Sequence, residues 1–204
     1  MHKEILTTEQ VLLLGIVKNF SKDFILVGGT AIALHLGHRR SIDFDLFSFK
    51  PFKNDAIKKR IIRYHKINKT YVTRPGELTA LVDGIKLTFF EFSYYIPTRH
   101  FFEKVIRVPD LLTLAAMKAF ALGYRSKWKD YVDLYFILRD HYSLDTISKR
   151  AQELFKGEFN AKILRGQLGY FDDIDYREQV EFLPGFEVSE KKIKTALVEF
   201  SLQK

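Results

Sequence analysis

The stretch that decides the fold is "LVGGTAIALHLGHRRSIDFDLF", residues 26–47. An apolar run ends on Gly28 and Gly29, thirteen residues separate Gly29 from Asp43, and there the chain alternates strictly through Ser41, Ile42, Asp43, Phe44, Asp45 and Leu46. That alternation predicts a strand with Ser41, Asp43 and Asp45 on one face and Ile42, Phe44 and Leu46 on the other. Between the two ends, "TAIALHLG" combines small and apolar residues with a closing glycine. This predicts a helix that begins at Thr30 and packs on a sheet. The stretch therefore reads as one strand–helix–strand unit.

Each end of the unit carries its own chemistry. Two residues along a strand stand about 6.5–7 Å apart at Cα. Carboxylates at that spacing can converge on one divalent cation, or hold two cations about 3.5–4 Å apart. Magnesium takes one or two carboxylates plus substrate phosphates, and no His or Cys cluster accompanies Asp43 and Asp45 to favour zinc. At the other end, Gly28 and Gly29 lack a Cβ, so a triphosphate can approach the backbone closely. The free N–H groups and dipole of a helix starting at Thr30 favour anions. Arg39 and Arg40 lie between the two ends and are candidates for contact with an incoming polyanion. Taken singly, a Gly-Gly turn is ordinary and an Asp pair on a strand is often a solvated edge. In this order within one unit they point to metal-assisted nucleotidyl transfer.

Outward from this stretch, 204 residues suffice for one sizeable core, and 47% apolar content places the chain among globular proteins. A nucleotidyltransferase core over 1–108 and a helical region over 109–204 are expected. The sequence contains no cysteine, which excludes disulfides and thiolate metal sites and fits a reducing compartment. No 18-residue uncharged apolar run suggests a membrane helix, and the first ten residues lack the layout of a secretory signal, so a cytoplasmic protein is expected. The formal charge is +8, and residues 38–74 hold eleven Lys or Arg against Asp43, Asp45 and Asp55. A basic segment of this kind concentrates polyanions, although a solvated basic helix has the same composition. Residues 172–190 are the reverse, with seven acids against Arg177. These acids could cap a helix or attract a basic partner.

The remaining elements follow from periodicity. Residues 4–20 show helical apolar spacing with a start near Thr8, and "DFILVGG" reads as a short buried strand. "NDAIKKRIIRYH" is a basic helix with Asn54 as a candidate cap. "LTALV" and "IKLTFFEF" form a hairpin across Asp83-Gly84. Helices follow over roughly 110–123, 127–140, 144–156 and 189–202. The class is α+β, with a small mixed sheet followed by helices. His35 and His38 read as helix-end residues, and Trp128 reads as core.

The residues "GGTAIALHLGHRRSIDFDLF" resemble the signature of DNA polymerase β-type nucleotidyltransferases, and more narrowly that of the AbiEii toxins of type IV toxin–antitoxin systems. "DLLTLAAMKAFALGYRSKWKDYVDLYFIL" is similar to the later motif of that group, and "YFDDID" near 170 is similar too. The resemblance implies a Mg²⁺-dependent transfer of NMP from an NTP to an RNA acceptor such as tRNA, and a cognate antitoxin as partner. Asp43 and Asp45 are the candidate metal ligands and Gly28, Gly29, Thr30, Arg39, Arg40 and Ser41 the candidate nucleotide-binding residues, to which the resemblance adds Lys118 as a contact to nucleotide phosphates. Asp130 would complete the catalytic set by assisting proton removal. On the residues alone, Lys118 could instead snorkel to solvent, Asp130 pair with Lys127, and Asp133 serve helix packing.

One position departs from the pattern. A third carboxylate on the strand 85–92 would fall at Thr88, while Glu91 is three residues off and on the opposite face. Two other readings therefore stand beside the enzyme: a non-catalytic nucleic-acid or partner-binding module on a degenerate fold, and a transferase acting on a small molecule or a protein.

Overall fold

The computed structural model describes residues 1–203, and the chain forms two compact units. The first unit comprises residues 1–36 and 41–110; the second comprises residues 37–40 and everything from Leu111 onward. No helix among the described residues is long and apolar enough to cross a membrane.

The first unit is built on a five-stranded mixed sheet. Its strands are β1 (Ile25–Val27), β2 (Phe44–Ser48), β3 (Ile67–Arg74), β4 (Glu77–Val82) and β5 (Ile85–Glu91). They lie in the order β1-β2-β5-β4-β3, with β2 and β5 parallel and every other pair antiparallel. The alternation in the sequence sorts the two faces. Phe44, Leu46, Leu78, Ala80, Val82, Leu87 and Phe89 are fully buried on one of them. There Phe89 meets Phe20 and Phe24 with ring centroids 4.8 and 5.3 Å away. Each such ring contributes roughly 1.5–3 kcal/mol by leaving water. The other face carries Asp45, Thr79, Lys86 and Thr88. The 4–20 helix is α1 (Thr8–Asn19), closed by a capping box between Thr7 and Gln10.

Several expectations are corrected here. The second helix, α2 (Gly28–Leu36), starts at Gly28 and not at Thr30. The glycines are thus its first turn rather than a loop before it. Strand β2 starts at Phe44, so Asp43 stands just ahead of the strand. Ile42, expected to share a face with Phe44 and Leu46, precedes the strand and is 52% exposed. Asn54 is the first residue of α3 (Asn54–Ile62), not its cap, and its amide donates to Thr73, Arg74 and Glu77 instead. Strand β3 and the small pair β6 (His100–Phe102) and β7 (Ile106–Val108) were not anticipated. Strand β3 is an exposed edge with two register shifts, which blurs the period-two pattern.

The second unit is helical: α4 (Leu111–Leu122), α5 (Trp128–Asp140), α6 (Leu144–Phe155), α7 (Ala161–Leu168) and α8 (Glu190–Leu202). Helix α7 lies outside the helices expected from periodicity. Alanines at 115, 116 and 119 are buried on α4, and Phe120 stacks on Phe155 of α6 at 4.1 Å. Residues 37–40 join this unit as an extended segment. Arg39 bridges Phe182, the Arg40 amide donates to the Glu181 carbonyl at 2.9 Å, and the Leu183 amide donates to the His38 carbonyl at 3.1 Å.

Candidate active site

In the first unit, sheet register gathers the residues that the sequence singles out. Asp45 lies opposite Val27 on β1, and Gly28 is the next residue after Val27. Gly28 has φ +72°, and a Cβ there would collide with the Asp45 carboxylate, lying 3.0 Å from its Cγ. Glycine is thus required twice, for the backbone conformation and for the space. The first turn of α2 and the carboxylate are in direct contact across that space. Thr30 is buried, and its hydroxyl donates to the Asp43 carbonyl and sits 2.9 Å from Ser41 Oγ. The Ser41 carbonyl in turn accepts from Gln10 Nε2 at 2.8 Å. The hydroxyls of Thr30 and Ser41 therefore pin the approach to β2. What α2 can offer an anion is its first-turn backbone amides.

The neighbouring strand supplies what the sequence leaves open. Asp45 pairs with Thr88 on β5, and Thr88 pairs with Thr79 on β4. The lateral neighbour of Asp45 is thus a threonine, as the spacing predicts. Two residues earlier on the same face, Lys86 places Nζ 2.5 Å from Asp43 Oδ2. Lys86 was missed in the sequence, although its period-two relation to Thr88 could have flagged it. Glu91 pairs with Ser48 at the far end of β2, and Asp83 sits in the hairpin turn bonded to His65. No group of three or more His, Cys, Asp or Glu side chains poised for a metal gathers among the described residues.

The second unit holds a separate buried polar cluster. Asp133 is fully buried and accepts from His38 Nε2 (2.9 Å) and from Arg39 Nε (2.7 Å) and Nη2 (2.9 Å). Lys118 Nζ lies 3.0 Å from Asp133 Oδ2 and 2.7 Å from Asp130 Oδ1, and Arg125 completes the Asp130 pairing at 3.0 Å. Burial works to raise the Asp133 carboxyl, but the charges of Arg39 and Lys118 and the His38 and Arg39 hydrogen bonds outweigh it. They hold the group well below the usual range. Asp130 is lowered in the same way: burial is overcome by Lys118 and Arg125. For Lys118, burial is overcome by Asp130 and Asp133, and the ammonium stays charged. Burial pushes His38 down against its Asp133 bond, leaving a neutral ring that donates from Nε2.

These contacts revise the sequence reading. Lys118 does not snorkel, Asp130 pairs with Lys118 and Arg125 rather than Lys127, and Asp133 is a charged hub. Arg39, expected beside an incoming polyanion, is 1% exposed and bound bidentately to Asp133. Arg40 is half-buried and pairs with Glu181 at 2.8 Å. The acidic run 172–190 serves its own unit: Glu178 pairs with Lys127 and Lys129, Asp173 with Ser126, and Asp175 with Arg177. His38 was read as a helix-end residue, and nothing in the local sequence signals its buried carboxylate partner.

A mixed sheet in which a Gly-Gly helix start meets a D-x-D strand defines the nucleotidyltransferase fold. The family model described as "Nucleotidyl transferase AbiEii toxin, Type IV TA system" matches residues 12–73 and 87–198, and the chain belongs to this family. The uncharacterized protein aq_aa25 of Aquifex aeolicus (strain VF5) is 32% identical over 198 residues, covering 94% of this chain and 93% of its own. Among solved structures, a Helicobacter pylori protein described as a nucleotidyltransferase superposes with a TM-score of 0.60 at 18% identity, covering 96% of this chain and 94% of its own. The nucleotidyltransferase toxin MenT4 of Mycobacterium tuberculosis gives 0.61 at 10% identity, covering 94% of this chain and 81% of its own. At such identities the two structures speak for the fold alone. Family membership makes the chain a nucleotidyltransferase of a toxin–antitoxin family.

Proposed function

We propose that this protein transfers a nucleoside monophosphate from an NTP to a hydroxyl of an RNA acceptor such as tRNA, and that a cognate antitoxin restrains it in the cytoplasm. The observation that carries the reading is the contact between the first turn of α2 and the Asp45 carboxylate, across a glycine that admits no side chain. It brings phosphate-binding amides and a cation-binding carboxylate together in one unit.

Nucleotidyltransferases of this kind generally use a divalent metal, and the donor set fits magnesium. Asp43 and Asp45 supply two hard carboxylate oxygens, and a triphosphate would supply others. When bound, the ion neutralises phosphate charge and polarises the reacting phosphorus. The chain's own part is to orient and to stabilise. The amides of Gly28, Gly29 and Thr30 hold phosphate oxygens, and Thr30 and Ser41 fix the approach to β2. The acceptor oxygen attacks the α-phosphorus, its bond to the bridging oxygen breaks, pyrophosphate leaves, and the acceptor proton passes to a base.

The test is transfer of label from each α-labelled NTP to total RNA. Asp43→Ala and Asp45→Ala are expected to abolish labelling while circular dichroism and thermal unfolding show a folded chain. Full labelling by both variants would refute the mechanism.

A further inference from the structure

We infer that Lys86 supplies the positive charge which a second metal ion would otherwise bring to this site, so that the site operates with one divalent cation and one ammonium group. The inference rests on the nucleotidyl-transfer reading above.

Sheet register carries the first half of the argument. The residue laterally beside Asp45 is Thr88, whose hydroxyl brings no charge. The acids on that hairpin are placed elsewhere: Glu77 pairs with Arg74 at the start of β4, Asp83 binds His65 and the Lys66 amide in the turn, and Glu91 lies three residues beyond Thr88 beside Ser48. Asp43, Asp45 and Lys86 together carry a formal charge of −1. Two divalent cations about 3.5–4 Å apart repel strongly and need several anionic ligands to offset that repulsion. Two carboxylates with an ammonium beside them match a single ion.

The second half is the placement of Lys86 itself. Its Nζ is 2.5 Å from Asp43 Oδ2, on the same sheet face as Asp45 and Thr88, and its side chain is 34% exposed. A lysine ammonium is a compact point charge on a flexible stem, suited to exchanging one oxygen partner for another. It satisfies Asp43 before nucleotide arrives, and it can pass to phosphate oxygens when a cation takes its place at the carboxylate. Thr88 and Lys86 together leave this face with less negative charge than a third carboxylate would give it.

Mn²⁺ titration followed by electron paramagnetic resonance tests this, with and without an NTP analogue carrying methylene in place of the α–β bridging oxygen. Wild type is expected to bind one Mn²⁺ per chain in the presence of the analogue. In nucleotide-free protein, Lys86→Met is expected to bind Mn²⁺ at least about fivefold more tightly, the floor set by unit charges about 4 Å apart in water. The same variant should transfer nucleotide more slowly, and Lys86→Arg should restore part of the rate. The double variant Lys86→Met/Thr88→Asp is expected to bind a second Mn²⁺. Two ions on wild type, or unchanged Mn²⁺ affinity in Lys86→Met, would overturn the inference and leave nucleotidyl transfer standing. If wild type neither binds Mn²⁺ with the analogue nor labels RNA, the underlying reading fails and takes this inference with it.

Discussion

Asp133 receives four nitrogen contacts on one buried carboxylate: His38 Nε2, Arg39 Nε and Nη2, and Lys118 Nζ. Its net worth is small compared with the cost of breaking it, because Arg39 would be left buried without its anion and Lys118 with Asp130 alone. Asp133→Asn keeps the shape and removes the charge, so Arg39 loses its bidentate partner while 1% exposed. The expected loss of unfolding free energy is about 3–5 kcal/mol, read from urea denaturation midpoints. Arg125→Ala removes a half-exposed partner of Asp130 and is expected to cost about 1 kcal/mol or less. Equal effects from the two substitutions would show that the cluster is not organised around Asp133.

Helix α2 and the β4–β5 hairpin each depend on a glycine with positive φ, but for different reasons. Gly84, with φ +85°, follows Asp83 at +46° in a two-residue turn and has open space around its missing Cβ. Gly28 has φ +72° and the Asp45 carboxylate where a Cβ would go. Gly84→Ala is therefore expected to cost about 1 kcal/mol, the backbone strain alone. Gly28→Ala should cost more than that and should also abolish nucleotide binding, because the carboxylate must move. Thermal unfolding and analogue binding measured on both variants separate strain from collision; equal stability losses with intact binding in Gly28→Ala would refute the contact. The two glycines also mark what the sequence makes legible. Asp-Gly between alternating runs, and Gly-Gly ahead of a D-x-D strand, are local signals that translate directly into a turn and a helix start against a carboxylate. Helices α4, α5, α6 and α8 were legible for the same reason, since their apolar spacing is local. Strand β3 was not, because two bulges and an exposed edge erase its alternation. Lys86 on Asp43 and Arg39 on Asp133 are pairings across 43 and 94 positions, set by register and tertiary packing, and periodicity carries no such information.

At the scale of the molecule, the charge excess has a definite address. The acids of 172–190 are answered by Arg40, Lys127, Lys129 and Arg177 within the second unit. Residues 41–74 of the first unit keep nine Lys or Arg against three Asp. Of these, Lys53, Lys59, Arg63 and Lys69 are exposed and form no ion pair among the described residues. Tyr64 and Tyr71 stand among them, 71% and 51% exposed, and Lys69 lies 5.0 Å from the Tyr71 ring centroid. Cations of this kind bind a single-stranded polyanion by releasing counterions, and each one neutralising a phosphate contributes about 0.7 to the slope of log affinity against log salt. The triple variant Lys59→Ala/Arg63→Ala/Lys69→Ala is expected to flatten that slope by about 2 for an RNA acceptor. Tyr64→Ala and Tyr71→Ala should weaken binding and leave the slope unchanged, because stacking releases no ions. An unchanged slope in the triple variant would move the acceptor off this surface, and affinity insensitive to salt in wild type would favour a small-molecule or protein acceptor over RNA.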